Sequence, residues 1–161
     1  MESNDLMIQS FAPRDVDAFR ALNEQWIKEV FVLEHEDELV LNDPEEHILR
    51  YGGEIFMARM HGIPVGCCAL ILKAANLMEL AKMAVAREYQ GRGIGRKLLH
   101  HAIDRARTRG ISAIVLGSNT RLKEALHLYE TSGFHYLKGD EAPSLPYARA
   151  NVFMRLDLYQ G

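Results

Sequence analysis

The sequence predicts an α/β (α+β) protein built on a mixed, mostly antiparallel central sheet of about seven strands, with helices on both faces. Two features predict this class. Two strand-like segments, 54–60 and 65–73, are joined by His-Gly-Ile-Pro, which has the composition of a hairpin turn. Between residues 78 and 116, a strand, a helix and a second strand follow one another. Hairpins followed by a strand-helix-strand unit indicate a mixed sheet covered by helices.

Length, charge and cysteine content limit the number of domains, the binding partners and the disulfides that the chain can have. A chain of 161 residues predicts one domain, residues 1–161, large enough to bury a core. The net charge of −3 argues against general nucleic-acid binding, which needs a basic face. No signal-type segment and no apolar run near the roughly 18 residues of a membrane span is present, so we expect a cytoplasmic protein without a membrane partner. Cys67 and Cys68 are neighbours in a strand-like run, which predicts sheet residues on opposite faces and no disulfide.

The first third of the chain has the pattern of a strand followed by helices. Residues 6–11 form an apolar run, and a helix opened by proline carries Trp26 on its apolar stripe, which predicts a core position for this side chain. Residues 34–46 contain seven acids and no Lys or Arg. They indicate either a solvated surface or an acidic wall that attracts a cationic amine. His35 and His47 lack metal-ligand spacing, so no metal site is predicted.

Apolar spacing and turn residues predict the later elements. These are a strand at 76–85, a helix at 94–109, a strand at 112–116, a helix that starts at Leu122 and ends before Gly133, a strand at 134–137, a loop at 139–150 and a strand at 151–158. Within the last two segments Tyr147, Arg149 and Asn151 alternate and should share a face. That face is either a plain edge surface or, if it meets a cleft, a place where Arg149 binds a substrate carboxylate.

Three glycines at alternate positions, Gly91, Gly93 and Gly95, separate the strand at 76–85 from the helix that follows. Glycine permits positive φ and close approach to the backbone, and the first turn of a helix has unpaired N–H groups. Together they predict an anion site whose usual occupant is phosphate. A dinucleotide fingerprint is excluded because its third glycine would fall at Arg96, and no Gly-Lys-Ser/Thr of a nucleotide P-loop follows. A plain chain-reversing turn is the other alternative.

Gln90, Gly93 and Gly95 fit the pattern Q/R-x-x-G-x-G/A, and here the sequence resembles the GCN5-related N-acetyltransferase (GNAT) superfamily. In that family a loop of this form holds the pyrophosphate of acetyl-CoA, so the resemblance implies the GNAT fold and acetyl-CoA as cosubstrate. The likeness spans most of the chain and is strongest over 79–134. The cofactor-binding residues that it implies are Met83, Ala84 and Val85 in the strand and Gln90, Gly91, Arg92, Gly93, Ile94, Gly95 and Arg96 in the loop. The family also has a β-bulge in this strand, which would free backbone groups for the pantetheine arm and the acetyl carbonyl.

Glu79 is the candidate general base. It lies among Met, Leu and Ala residues of the strand, and apolar neighbours raise the pKa of a carboxyl group, which suits a base that works near neutral pH. In relatives with a glutamate base on this strand, the acid has the same place relative to the strand end. The alternative is a structural glutamate that pairs with a cation such as Lys82.

Tyr129 is the candidate general acid, and this role is implied by the resemblance. The segment 125–134 resembles the family's A-x-x-L-Y-x-x-x-G-F, whose tyrosine points at the CoA sulfur; spacing alone would make Tyr129 a core aromatic. Asn119 stands ten residues before it, whereas many relatives have asparagine seven residues before, where this chain has Leu122. Asn119 is therefore either a cofactor contact or a helix N-cap.

The sequence thus predicts an acyltransferase that moves the acetyl group of acetyl-CoA to a primary amine, on either a small molecule or a protein, by direct attack in a ternary complex. The alternative is a non-catalytic acyl-CoA-binding or sensing module on the same fold. Glu79 and Tyr129 together favour the enzyme, because a sensor needs neither an acid nor a base. A homodimer paired through the last strands is compatible with the pattern, although nothing in the sequence requires it.

Overall fold

A computed structural model describes residues 5–158 and places seven strands of this range in one sheet. The strands are β1 (Leu6–Ser10), β2 (Glu54–Met60), β3 (Ile63–Ala74), β4 (Leu77–Val85), β5 (Ala113–Ser118), β6 (His135–Tyr136) and β7 (Val152–Asp157). Their order across the sheet is β1-β2-β3-β4-β5-β7-β6. The β4–β5 pair is parallel and the other neighbouring pairs are antiparallel, which confirms the predicted mixed sheet.

Helices cover both faces of this sheet, as predicted. They are α1 (Val16–Val30), α2 (His35–Asn42), α3 (Pro44–His47), α4 (Ile94–Thr108) and α5 (Lys123–Thr131), with short 3-10 turns at Pro13–Asp15, Leu49–Tyr51, Arg87–Tyr89 and Gly139–Glu141. One core cluster joins the sheet to α4 and α5, and a second joins it to α1 and α2. Cys68 lies in the first cluster and Cys67 in the second, so the prediction that they point to opposite faces is confirmed.

The β4 strand contains a bulge at Lys82. Ala81 is paired with Ala69 and Ala84 with Cys67, so two β4 residues stand opposite one residue of β3. Lys82 has φ +54°, a left-handed conformation that is uncommon for lysine. Beyond Glu79, β4 no longer pairs with β5, since their ladder covers only 77–79 and 113–115. The two strands therefore separate, and a cleft opens between their carboxyl ends.

The last strand is shorter than the sequence predicts. It begins at Val152, so Tyr147, Arg149 and Asn151 belong to the preceding loop and the predicted strand alternation is wrong for them. The Asn151 side-chain oxygen accepts a hydrogen bond from the Thr120 N–H at 3.0 Å, which ties this loop to the end of β5. Among the helices of residues 5–158, none combines the length and apolar character needed to cross a bilayer.

Candidate active site

A cleft of about 580 Å³ lies where β4 and β5 separate. Its walls come from α1, β4, the end of β5, the start of α5 and the loop before β7. A second cleft of about 260 Å³ lies over the glycine loop and shares the wall residues Met83, Ala84, Val85 and Gln90 with the first. The bulged end of β4 therefore forms the common wall of one continuous groove that leads from the glycine loop to Glu79 and Tyr129.

The glycine loop has the geometry of an anion site. Gly91 and Gly93 both have φ +80°, and a Cβ added at either would meet no atom within 4 Å. Gly93 is the N-cap of α4, and the Lys97 N–H donates to its carbonyl at 3.1 Å, so the amides before Lys97 in the first turn lack acceptors within the helix. Unpaired amides at the helix N-terminus and open space beside Gly91 and Gly93 together fit a phosphate group.

Several side chains of the loop are engaged within the protein. The Gln90 amide donates to the Val85 carbonyl at 3.1 Å and closes the loop onto β4. The Arg96 guanidinium donates to the Thr131 hydroxyl at 3.1 Å, and Ile94 is buried in the core. Arg92 lies over the ring of Tyr89, with 5.0 Å between the guanidinium carbon and the ring centre. The loop therefore offers mainly its backbone, with Arg92 and Arg96 as exposed positive charges beside it.

Glu79 lines the main cleft but is only 4% exposed. Burial raises the pKa of its carboxyl group, and the positive charges of Lys73 and Lys82 offset only part of that rise. The Lys73 Nζ atom lies 3.7 Å from a Glu79 oxygen. Glu79 thus has a cation partner, as the structural alternative expects, but that partner is Lys73, because Lys82 pairs with Asp37. A buried carboxyl group that faces a cleft has the character of a general base.

Tyr129 is buried between α5 and the sheet and lines the same cleft. Its ring packs against that of Phe134 at 5.8 Å between centres, as expected of a core aromatic. Burial raises the pKa of its phenol, so the hydroxyl stays protonated near neutral pH and can donate a proton. The structure thus places Tyr129 both in the core and on the cleft wall.

Asn119 also lies on the cleft wall, with its side chain bonded within the protein. Its amide donates to the Arg149 carbonyl at 2.7 Å, and its oxygen accepts from the Arg121 N–H at 2.8 Å. Leu122, not Asn119, is the N-cap of α5, so the N-cap alternative is wrong. Asn119 instead joins the end of β5 to the loop that precedes β7.

A buried ion network on the other side of the cleft was not predicted. Asp37 is fully buried and accepts hydrogen bonds from Lys82 Nζ at 2.5 Å and from both terminal nitrogens of Arg149 at 2.7 Å. Lys82 also donates to the Tyr147 hydroxyl at 3.0 Å. Burial alone would raise the pKa of Asp37, but the Arg149 hydrogen bonds and the Lys82 charge lower it from 3.8 to about 2.

This network corrects two sequence-based expectations. The segment 34–46 is neither a wholly solvated surface nor an open acidic wall, because Asp37 lies inside and two cations neutralise it. Arg149 does face the cleft, contrary to the plain-edge alternative, but it is held by Asp37 and by Glu34. A lysine in an otherwise apolar strand was the available signal, since a buried charge needs an opposite partner.

The predicted core position of Trp26 is also corrected by the structure. It is partly exposed and lines the cleft, whereas the buried face of α1 consists of Phe19, Leu22, Asn23 and Ile27. The Arg149 guanidinium carbon lies 5.8 Å from the Trp26 ring centre. Trp26 therefore contributes an aromatic wall to the site while its other side packs against the core.

The structure thus combines an open sheet with a bulged strand, a glycine loop at a helix N-terminus and a groove between two separating strands. A family model described as the acetyltransferase (GNAT) family matches residues 11–134. The chain is 32% identical to the N-acetylaspartate synthetase of Rattus norvegicus over 117 residues, which covers 71% of this chain and 39% of that protein. It spans about two-fifths of the length of that relative.

Two solved structures are similar over nearly the whole chain. A GNAT-family acetyltransferase from Staphylococcus aureus has a TM-score of 0.88 and 25% identity, covering 96% of this chain and 99% of that one. A Salmonella typhimurium protein solved with its cofactor acetyl-CoA has a TM-score of 0.74 and 19% identity, covering 97% and 96%, and shows the shared fold. The chain therefore belongs to the GNAT acetyltransferase family.

Proposed function

We propose that the protein is an acetyl-CoA-dependent N-acetyltransferase that acts on a primary amine. The observation that carries this proposal is a single groove. It joins a loop with free backbone amides to a buried carboxyl group, Glu79, and a buried phenol, Tyr129. A pure binding module needs the first part of that groove but not the second.

The chain's residues fit acetyl-CoA along this groove. The amides of residues 91–96 are available to the diphosphate, with Arg92 and Arg96 beside them. Backbone groups of Met83, Ala84 and Val85 line the path toward Glu79. Ala84 and Val85 pair with β3 on one side, but none of the three pairs with β5 on the other, because the β4–β5 ladder ends at Glu79. When bound, the coenzyme supplies an acetyl thioester, which is an electrophile for an amine. An N–H of the bulged segment would polarise the acetyl carbonyl.

The two cleft side chains then divide the proton transfers. Glu79 removes a proton from the acceptor ammonium, directly or through a water molecule, and frees the nitrogen lone pair. The new carbon–nitrogen bond forms as the carbon–sulfur bond breaks. Tyr129 donates its phenolic proton to the departing thiolate, and the second proton that leaves the nitrogen restores the phenol. No covalent intermediate on the protein is required, which agrees with the full burial of both cysteine side chains.

Thiol release tests this proposal. Purified protein is incubated with acetyl-CoA and a panel of small amines and peptides, and free thiol is followed with time. Amine-dependent release supports the transferase. Binding of acetyl-CoA without release for any amine would instead support the non-catalytic acyl-CoA-binding or sensing module.

Tyr129→Phe is expected to lower kcat by about 10–150-fold, since a hydrogen bond to a charged group contributes about 1.5–3 kcal/mol. The ring packing against Phe134 is retained, so acetyl-CoA affinity should stay close to that of the unaltered protein. Tyr136→Phe is the matched control, because Tyr136 is 48% exposed on β6 and does not line the cleft. A Tyr129→Phe protein with unchanged kcat would remove the tyrosine from the acid role.

Gly93→Ala is expected to weaken acetyl-CoA binding by about tenfold or more. A side chain at φ +80° is strained by roughly 1–2 kcal/mol, and relief of that strain would turn the loop amides away from the phosphate. Gly62→Ala is a matched control, because Gly62 has φ +79° and open space around it but lies in the β2–β3 hairpin. Calorimetric titration should show weaker binding for Gly93→Ala alone; equal affinities for the two variants would argue against the loop as the phosphate site.

A further inference from the structure

The end of the main cleft away from the glycine loop forms a chamber with its own chemistry. We call it the acceptor chamber, and its walls are Trp26, Phe31, Lys82, Tyr147 and Arg149. Glu79 lines the same cleft and stands three residues before Lys82 on β4. An amine that reaches Glu79 would therefore have the rest of its molecule in or beside this chamber.

The acceptor chamber is lined by two cationic side chains, whose carboxylate partners lie outside its wall. Lys82 and Arg149 line the cleft. Their carboxylate partners, Asp37 for both and Glu34 for Arg149, are not among its lining residues, and Asp37 is fully buried. A molecule in the chamber meets the two cations first. The carboxylate behind them orients Arg149 through two hydrogen bonds of 2.7 Å to its two terminal nitrogens.

Both cations retain unused donors. The Lys82 ammonium has three N–H groups, and its described contacts are two, with Asp37 and Tyr147. The described contacts of Arg149 use its terminal nitrogens, and its Nε–H donates to no residue within 5–158. These donors lie on a buried lysine and a half-buried arginine, where a hydrogen bond to an anion is strong. A carboxylate accepts such donors from two directions at once.

Contacts between neighbouring elements limit the space beside the acceptor chamber, which suits a small molecule. Glu34 accepts hydrogen bonds from the Ala148 N–H at 2.8 Å and the Arg149 N–H at 3.3 Å, which ties the start of α2 to the loop before β7. On another side the Arg121 guanidinium carbon lies 5.3 Å from the Phe31 ring centre. The start of α2 and the loop before β7 are thus bonded to each other beside Arg149.

We infer that the acceptor is a small amine that also bears a carboxylate, as an amino acid does, and that Lys82 and Arg149 bind this carboxylate while Glu79 takes the proton of the amine. The inference rests on the proposed function and adds the chemical class of its acceptor. Trp26 and Tyr147 would enclose the part of the acceptor between its two charged groups.

A comparison of matched acceptors on the unaltered protein tests this inference. For several α-amino acids of differing side-chain size, kcat/KM is measured by thiol release beside the primary amide and the decarboxylated amine of each. The expected result is that the best amino acid exceeds its amide and its decarboxylated amine by at least about tenfold, because a hydrogen bond to a charged group is lost in both. Equal or better turnover of the amines that lack the carboxylate would overturn the inference and leave the transferase function intact. Acetyl-CoA binding without turnover of any amine would mean that the proposed function itself has failed.

Variants of Lys82 and Arg149 then test whether these residues cause the preference for acceptors that bear a carboxylate. Lys82→Met and Arg149→Met are each expected to bring the kcat/KM for the amino acid close to that for its amide. The main cause should be a higher KM for the amino acid. Lys123→Met removes a cleft cation at the start of α5 that is not a wall of the acceptor chamber, and it should keep the kcat/KM ratio of the unaltered protein. A ratio that survives both Lys82→Met and Arg149→Met would overturn the assignment. If either variant fails to fold, the acceptor comparison on the unaltered protein still decides the class.

Discussion

Glu79→Gln is expected to lower kcat by about 10²–10⁴-fold, the usual contribution of a positioned general base. Glutamine has nearly the same shape, so the packing of β4 and the affinity for acetyl-CoA should change little. The glycine loop is a separate part of the groove, which allows kcat and cofactor affinity to respond independently. Stopped-time thiol release for kcat and calorimetric titration for affinity measure the two effects.

The pH dependence of the same reaction gives a second, independent test of Glu79 as the general base. Glu79 acts as a base only when it is ionised, and burial raises its pKa above the ordinary 4.5. The kcat/KM of the unaltered protein should therefore fall on acidification at a higher pH than an exposed glutamate would give. Glu38→Gln, an exposed change on α2, serves as the control and should keep both the rate and the pH profile. A Glu79→Gln protein with full turnover and the same acid limb would remove Glu79 from the base role.

Asp37→Ala is expected to destabilise the fold by about 3–5 kcal/mol, because it leaves Lys82 and Arg149 buried without their shared carboxylate. For a domain of this size that corresponds to a fall in Tm of roughly 6–20 °C. Urea unfolding gives the free energy, and a surface pair gives the control: Asp104→Ala removes an exposed carboxylate 3.7 Å from Arg107 and should cost less than about 1 kcal/mol.

Lowering the pH should remove the stability that the ionised Asp37 carboxylate contributes to the fold. The pKa of Asp37 is lowered to about 2 in the folded protein, from an ordinary 3.8. A lowered pKa means that the carboxylate stabilises the fold above the unfolded value and that this stabilisation disappears as pH falls from about 4 toward 2. Asp37→Ala should lack this part of the acid dependence. Unfolding of Asp37→Ala at the same urea concentration as the unaltered protein would contradict the role given to the network.

The parts of the fold set by local pattern could be predicted from the sequence. Alternation and turn residues gave β2 its observed bounds, Glu54–Met60, and the apolar stripe after the glycine loop gave α4 its start at Ile94. The glycine spacing likewise anticipated positive φ and open surroundings at Gly91 and Gly93, whereas Gly95 lies within α4 against Leu128 and Val85. Each of these features depends on residues close together in the chain, which is why a single sequence contains them.

The features that were missed depend on distant or polar contacts. Asp37 and Lys82 are 45 residues apart, and Asp37 and Arg149 are 112 apart, so no local pattern pairs them. Trp26 was assigned to the core because it continues an apolar stripe. The helix instead buries Asn23, which donates to the Phe19 carbonyl at 3.0 Å and accepts from the Trp26 indole at 3.1 Å. A satisfied polar residue at a core position shifts the buried face, and hydrophobicity alone does not show this.

A crystal structure with bound coenzyme A would show whether the loop amides hold a diphosphate and so direct the thioester past the β4 bulge to Glu79 and Tyr129. We expect phosphate oxygens about 2.7–3.2 Å from backbone nitrogens of residues 91–96 and the sulfur atom facing the Tyr129 hydroxyl. Coenzyme bound elsewhere with the glycine loop free of phosphate, or a sulfur atom directed away from the Glu79 cleft, would contradict this expectation.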